Sequence, residues 1–183
     1  MEVLGQTEVL VEGLTLPECP RWHDGALYFV DIAAGQIYRL GRDDKPDLLY
    51  QAKDDFVGGL GFAEDGALLA VLSKGRQIVR IVDGEETVHA DLRGLCRFVL
   101  NDMVVTRGRA YVSQPGFDIW AAHPDGMPPV TELLLAGADG TCAIAATDMM
   151  SPNGMAVSPD GGTLYVAEST DLCSSCFDID PGT

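Results

Sequence analysis

Basic residues are scarce in this chain. Lys and Arg number 12 against 28 Asp and Glu, a formal net charge of −16 over 183 residues. Nucleic-acid binding depends on neutralising phosphates with cationic side chains, and an anionic membrane surface attracts the same groups. Charge therefore excludes both kinds of partner. Long apolar runs are missing as well. None reaches the roughly 18–20 residues that span a bilayer. The opening MEVLGQTEVLVEG has no basic segment followed by a long apolar one, so it does not read as a secretory signal. These absences describe a soluble, cytoplasmic protein. Apolar spacing at i, i+3, i+4 and i+7 with caps at both ends is absent too, which removes long amphipathic helices. So are the glycine-rich phosphate loops, the His-x-x-His zinc patterns and the Gly-x-Ser-x-Gly nucleophile elbow. His23, His89 and His123 are scattered, with His23 and His123 read as exposed turn residues.

Cysteine usage adds little chemistry. The five residues, Cys19, Cys96, Cys142, Cys173 and Cys176, are odd in number and irregularly spaced, which argues against a disulfide scaffold. Cys173-Ser-Ser-Cys176 is a lone CxxC. It lacks the strand-to-helix setting of a redox pair and the second pair of a zinc knuckle, so both cysteines read as strand or loop residues.

What the chain has in abundance is short strands and glycine. With 46% hydrophobic and 22% charged residues, it has the composition of a globular domain. Apolar segments rich in β-branched and aromatic residues are bounded by Gly or Asp-Gly, the signature of strands joined by hairpin turns. The hairpins also resemble one another: WHDGALYFVD at 22–31, FAEDGALLAV at 62–71, VTRGRAYV at 105–112 and VSPDGGTLYV at 157–166. Their turn glycines, Gly25, Gly66, Gly108 and Gly161, lie 41, 42 and 53 residues apart. A period of about 40–50 residues with several strands per unit predicts an all-β β-propeller, one blade per repeat. A β-sandwich with unrelated turns is the alternative, and it does not explain why the repeats agree in residue type. Segments 36–40 (QIYRL) and 77–81 (QIVRI) supply further strands of each blade. The longer third interval holds Met127-Pro-Pro129 and Gly137-Ala-Asp-Gly140, read as a loop insertion. About four blades fit within residues 1–183, taken as one propeller domain. The chain stops at 177–183, where another hairpin begins, so ring closure calls for further blades. That marks a fragment or a truncated product.

Propeller chemistry sits at one end of the central channel, where inner strands of several blades converge. Three segments put a polar group just before an inner strand: Pro17-Glu-Cys-Pro20, Leu100-Asn-Asp-Met103 and Ser151-Pro-Asn-Gly154. A carboxylate with carboxamide oxygens suits hard cations. Taken singly, these residues form turns and surface charges. Taken at equivalent repeat positions, they suggest a shared site. Trp22 and Trp120 read as packing residues between blades.

These segments carry a resemblance. Residues 13–32 (GLTLPECPRWHDGALYFVDI), 101–105 (NDMVV) and 151–161 (SPNGMAVSPDG) are similar, in order and separation, to motifs of the SMP-30/gluconolactonase/luciferin-regenerating-enzyme-like family. The resemblance runs from about Glu8 to the end. It implies a six-bladed propeller with one divalent cation in the channel (Ca2+, Zn2+, Mg2+ or Mn2+) and hydrolysis of a sugar lactone, such as an aldonolactone, or a related small lactone to the hydroxy acid. It implies Glu18 and Asn153 as metal ligands, and Asn101 as a substrate contact or further ligand. Asp102 would brace the loop and Asp118 would face substrate. The family's acid/base aspartate lies beyond Thr183, so no catalytic residue is expected within this chain. Where some members carry arginine two residues before Asn101, this sequence has Val99, and where the family has Glu-Gly-Pro it has Glu18-Cys-Pro20. The leading expectation is a metal-dependent lactonase whose 183-residue chain binds cation weakly and turns over little. The alternatives are a non-catalytic calcium-binding or protein-interaction propeller, and a strictosidine-synthase-like enzyme, against which Glu18 and Asn153 weigh.

Overall fold

The computed structural model describes residues 5, 7–42, 45–119 and 130–180. Every regular element among them is a strand. In chain order these are β1 (Pro17–His23), β2 (Ala26–Asp31), β3 (Gln36–Leu40), β4 (Pro46–Gln51), β5 (Val57–Phe62), β6 (Leu68–Leu72), β7 (Gln77–Val82) and β8 (Glu85–Asp91). There follow β9 (Met103–Thr106), β10 (Arg109–Val112), β11 (Thr131–Ala136), β12 (Cys142–Met149), β13 (Pro152–Val157), β14 (Thr163–Glu168) and β15 (Cys173–Asp178). They form four antiparallel sheets, β1–β4, β5–β8, β9–β12 and β13–β15, the last with three strands. Neighbouring first strands touch, β1 with β5, β5 with β9 and β9 with β13, so the sheets are four successive blades of a β-propeller.

The glycine punctuation has a backbone cause. In the β1–β2 turn both Asp24 and Gly25 have positive φ, 45° and 75°, and Arg107 and Gly108 repeat this at 49° and 70°. Two-residue turns of this hand match the twist of the strands they join, and they favour Asp-Gly or Asn-Gly. Gly137–Gly140 proves to be the β11–β12 hairpin, an ordinary element of the third blade rather than an insertion. Its closing bond runs from the Gly140 N–H to the Gly137 carbonyl at 3.0 Å. The extra length of that repeat lies between β10 and β11. Trp120, His123 and Met127–Pro129 in that stretch fall outside the described residues.

The core is a set of seams between blades. On β6, Leu68, Ala70 and Leu72 pack toward the first blade, while Leu69 and Val71 pack toward the third. A strand buried on both faces reads as a continuous apolar run, which is why residues 67–71 (ALLAV) do not alternate. On β14 of the fourth blade, Leu164 and Val166 are buried in the seam with the third, whereas Tyr165 between them is exposed. Two aromatic expectations change. Trp22 is 75% exposed and packs into no seam. His23 closes β1, and its ring stacks on Phe62 of the second blade with centroids 3.7 Å apart. It is half-buried against a neighbouring blade because the hairpin leans onto that blade.

The first strands meet closely because the second blade offers no side chain at Gly58-Gly59. A Cβ on Gly58 would overlap the Asn101 carbonyl, and one on Gly59 would lie 2.6 Å from the Met103 nitrogen. Gly58→Ala should therefore cost about 1–3 kcal/mol, as overpacking does. Gly94→Ala, whose Cβ meets nothing within 4 Å, should stay within about 0.5 kcal/mol. Urea unfolding of both variants checks this, and equal midpoints would contradict the close-approach argument.

Candidate functional site

The inner strands are irregular where they reach the channel. The β1–β2 register slips between Glu18 and Arg21, β5–β6 between Val57 and Leu60, and β13–β14 between Pro152 and Met155. A one-residue bulge bends a strand and re-aims a side chain. Glu18 borders its slip, and Asn153 and Gly154 lie within theirs. In the third blade Asn101 and Asp102 precede β9 without a slip. Glu18, Asn101, Asp102 and Asn153 all line one cavity of about 430 Å³.

Within it the two asparagines meet. Asn101 Nδ2 donates to Asn153 Oδ1 at 2.7 Å, and Asn153 Nδ2 donates to Ser169 Oγ at 3.2 Å. Each amide nitrogen is thus anchored on protein, and each carbonyl oxygen keeps lone-pair capacity. Among the described residues the Glu18 carboxylate has no hydrogen-bond or ion-pair partner. One unpaired carboxylate and two carboxamide oxygens fit part of the shell of a hard cation, which takes six or more oxygens. No group of three His, Cys, Asp or Glu side chains gathers among the described residues, so any such site rests on the carboxamides.

Asp102, also on the cavity wall, turns its Oδ1 toward the first blade. It is 8% exposed. Its Oδ1 accepts from Arg21 at 3.1 Å, from the Cys19 thiol at 2.9 Å and from the Met103 N–H at 2.7 Å. The Cys19 thiol also lies 3.1 Å from the Gly58 carbonyl. Arg21 spans onward to the Met103 carbonyl at 2.7 Å. The loop carrying Asn101 is pinned from behind: its N–H donates to the Ser113 carbonyl at 2.8 Å, and the Asp102 N–H donates to Ser113 Oγ at 3.0 Å. Asp102 therefore joins the first and third blades across the second and holds its neighbour Asn101 in the cavity.

Two details lay outside sequence reasoning. Cys19 has φ 49°, a left-handed conformation that favours glycine. The strain coincides with its hydrogen bonds to Asp102 and Gly58. The loop after β10 puts Phe117 and Ile119 on the cavity wall, and Asp118 between them is not part of the lining. Arg21, a lone cation in the first inner strand, was the available sequence signal for a buried acidic partner.

Burial, then the adjacent Asp102 charge, pushes the Cys19 thiol far above its ordinary value of 9.0, so it stays protonated and unreactive. In the unfolded chain it ionises near that ordinary value. Above it the unfolded state binds fewer protons than the folded one, and stability falls as pH rises. Cys96, pushed up to about 11 by burial, acts in the same sense. Urea midpoints should therefore drop above about pH 9, and less steeply in Cys19→Ser, which retains a donor to Asp102. Equal slopes in the two proteins would contradict this.

The family model for the SMP-30/Gluconolactonase/LRE-like region matches residues 16–183. No curated protein sequence matches the chain. Among solved structures, a gluconolactonase from Xanthomonas campestris is 24% identical with a TM-score of 0.79, over 95% of this chain and 62% of that one. A luciferin-regenerating enzyme is 22% identical with a TM-score of 0.74, over 94% and 58%. Regucalcin from Agrobacterium tumefaciens, a calcium-binding protein, is 18% identical with a TM-score of 0.73, over 94% and 57%. At these identities the likeness establishes the propeller fold. The chain spans about three fifths of the length of these solved structures.

Proposed function

This chain belongs to the SMP-30/gluconolactonase/LRE-like family, and on that premise we propose that it carries the cation-holding part of a metal-dependent lactonase. The observation that carries the reading is the meeting of Glu18, Asn101 and Asn153 on one cavity, with both carboxamide nitrogens anchored and Glu18 without a partner among the described residues. These three side chains would hold one divalent cation, Ca2+, Zn2+, Mg2+ or Mn2+. Bound there, the cation supplies Lewis-acid polarisation of a lactone carbonyl and stabilises charge on its oxygen. The five free cysteines support a reducing, cytoplasmic setting.

The chain's own residues divide the work. Asn101 orients Asn153 through its Nδ2. Asp102 Oδ1 accepts from Arg21, Cys19 and Met103, and this positions Asn101 beside it. Among the described residues Glu18 and Asp102 are the carboxylates on the cavity wall. Glu18 is assigned to the cation. A base must lie within hydrogen-bond reach of the water it activates. The family resemblance implies an acid/base aspartate in a blade beyond these four, and on that ground we assign little turnover to the 183 residues alone.

Calorimetric titration of the chain with Ca2+ and Mn2+ tests the assignment. One weak site is expected. Glu18→Gln and Asn153→Ala should each weaken it by about tenfold or more, in line with the loss of a charge-assisted contact. Unchanged affinity in Glu18→Gln overturns the shared site. Lactone hydrolysis by the unaltered chain at a rate well above background would overturn the assignment of the base elsewhere.

A further inference from the structure

The cavity has two unlike halves. Its polar end is Glu18, Asn101 and Asn153. Opposite chemistry comes from Leu16 and Ile32 of the first blade, Phe117 and Ile119 of the loop after β10, and Pro152 of the fourth blade. All of the chain's 12 Lys and Arg residues lie among the described residues, and none is in this lining. Once the polar end is committed to a cation, the side-chain hydroxyls left for a ligand among the described residues are Ser151, Ser169 and Thr170; Ser151 Oγ already donates to the Pro115 carbonyl and Ser169 Oγ already accepts from Asn153. A polyhydroxylated ligand would desolvate several hydroxyls here without returning hydrogen bonds, and each such loss is costly. An alkyl or aryl substituent would gain by leaving water. The volume, about 430 Å³, suits a small molecule.

We propose that the lactone taken by this cavity is a neutral one bearing an apolar substituent, with Phe117 and Ile119 as the specificity-determining wall and the ring ester directed to the polar end. The inference rests on the lactone reading above. It assigns the residues on either side of Asp118 the substrate contact that the sequence suggested for Asp118.

Ligand-observed NMR on the whole 183-residue chain in Ca2+ tests it with three probes: glucono-δ-lactone, a δ-lactone carrying a five-carbon alkyl chain, and the cyclic ether with the same alkyl chain and no ester. The alkyl lactone should bind about tenfold tighter than gluconolactone, the discrimination an apolar pocket offers. It should also bind tighter than the ether. A Phe117→Ala/Ile119→Ala double variant with an unchanged circular dichroism spectrum should lose that preference and keep its Ca2+ affinity. Gluconolactone binding as tightly as the alkyl lactone, or a preference that survives the double variant, overturns the inference and leaves the lactone reading standing. An ether that binds as well as the alkyl lactone, or no binding by either lactone, removes the lactone reading and this inference with it.

Discussion

The buried Asp102 carboxylate is the contact on which the site depends. A carboxylate out of water is costly unless its charge is matched and its lone pairs are used. Here an arginine, a thiol and a backbone N–H meet one oxygen, and the first two come from the first blade. That arrangement is possible only because β5 runs past β9 with glycine at 58 and 59, where a methyl group would collide with backbone. The glycine pair brings the strands together, and the charged cluster fixes how they sit. Asn101 is the residue next to Asp102, so its position in the cavity follows from both.

Propeller packing also explains why the polar residues gather at all. The second and third blades bury both faces against their neighbours, so their central strands do not alternate polar and apolar along their length, and polar groups are pushed to the ends. At the channel end the register slips turn the backbone and release side chains such as Glu18 and Asn153 from the sheet faces. The third blade places Asn101 before β9 without a slip, so each blade contributes one position. The second spends its position on glycine, which leaves a carboxylate and two carboxamides from the other three.

Much of the fold was legible in the sequence, because hairpin turns with positive φ demand Asp-Gly or a close relative and repeat once per blade. The candidate residues were legible for a similar reason: Glu18, Asn101 and Asn153 stand at matching points before apolar strands, and the fold brings all three to one cavity. What was hidden depends on contacts between blades far apart in sequence. Nothing local in Cys19 announces a thiol held by a carboxylate 83 residues away. Gly58-Gly59 reads as a turn or a weak strand until β9 is placed against it. Trp22 is apolar by type and exposed in the fold, while His23 beside it, polar by type, is stacked on Phe62. The lone Arg21 in an inner strand was a usable clue to a buried acid, and Asp102 is that acid. Phe117 and Ile119 line the cavity beside Asp118, and nothing local in the sequence marks them.

The central claim is that Glu18, Asn101 and Asn153 form one cation site held in place by the Asp102 cluster. A crystal of the chain soaked in Mn2+ and measured at an X-ray energy where manganese scatters anomalously addresses it directly. The account predicts a single strong anomalous peak in the cavity, within ligand distance of a Glu18 carboxylate oxygen and the carboxamide oxygens of Asn101 and Asn153. A peak at another surface carboxylate, or none in this cavity at saturating Mn2+, would contradict it.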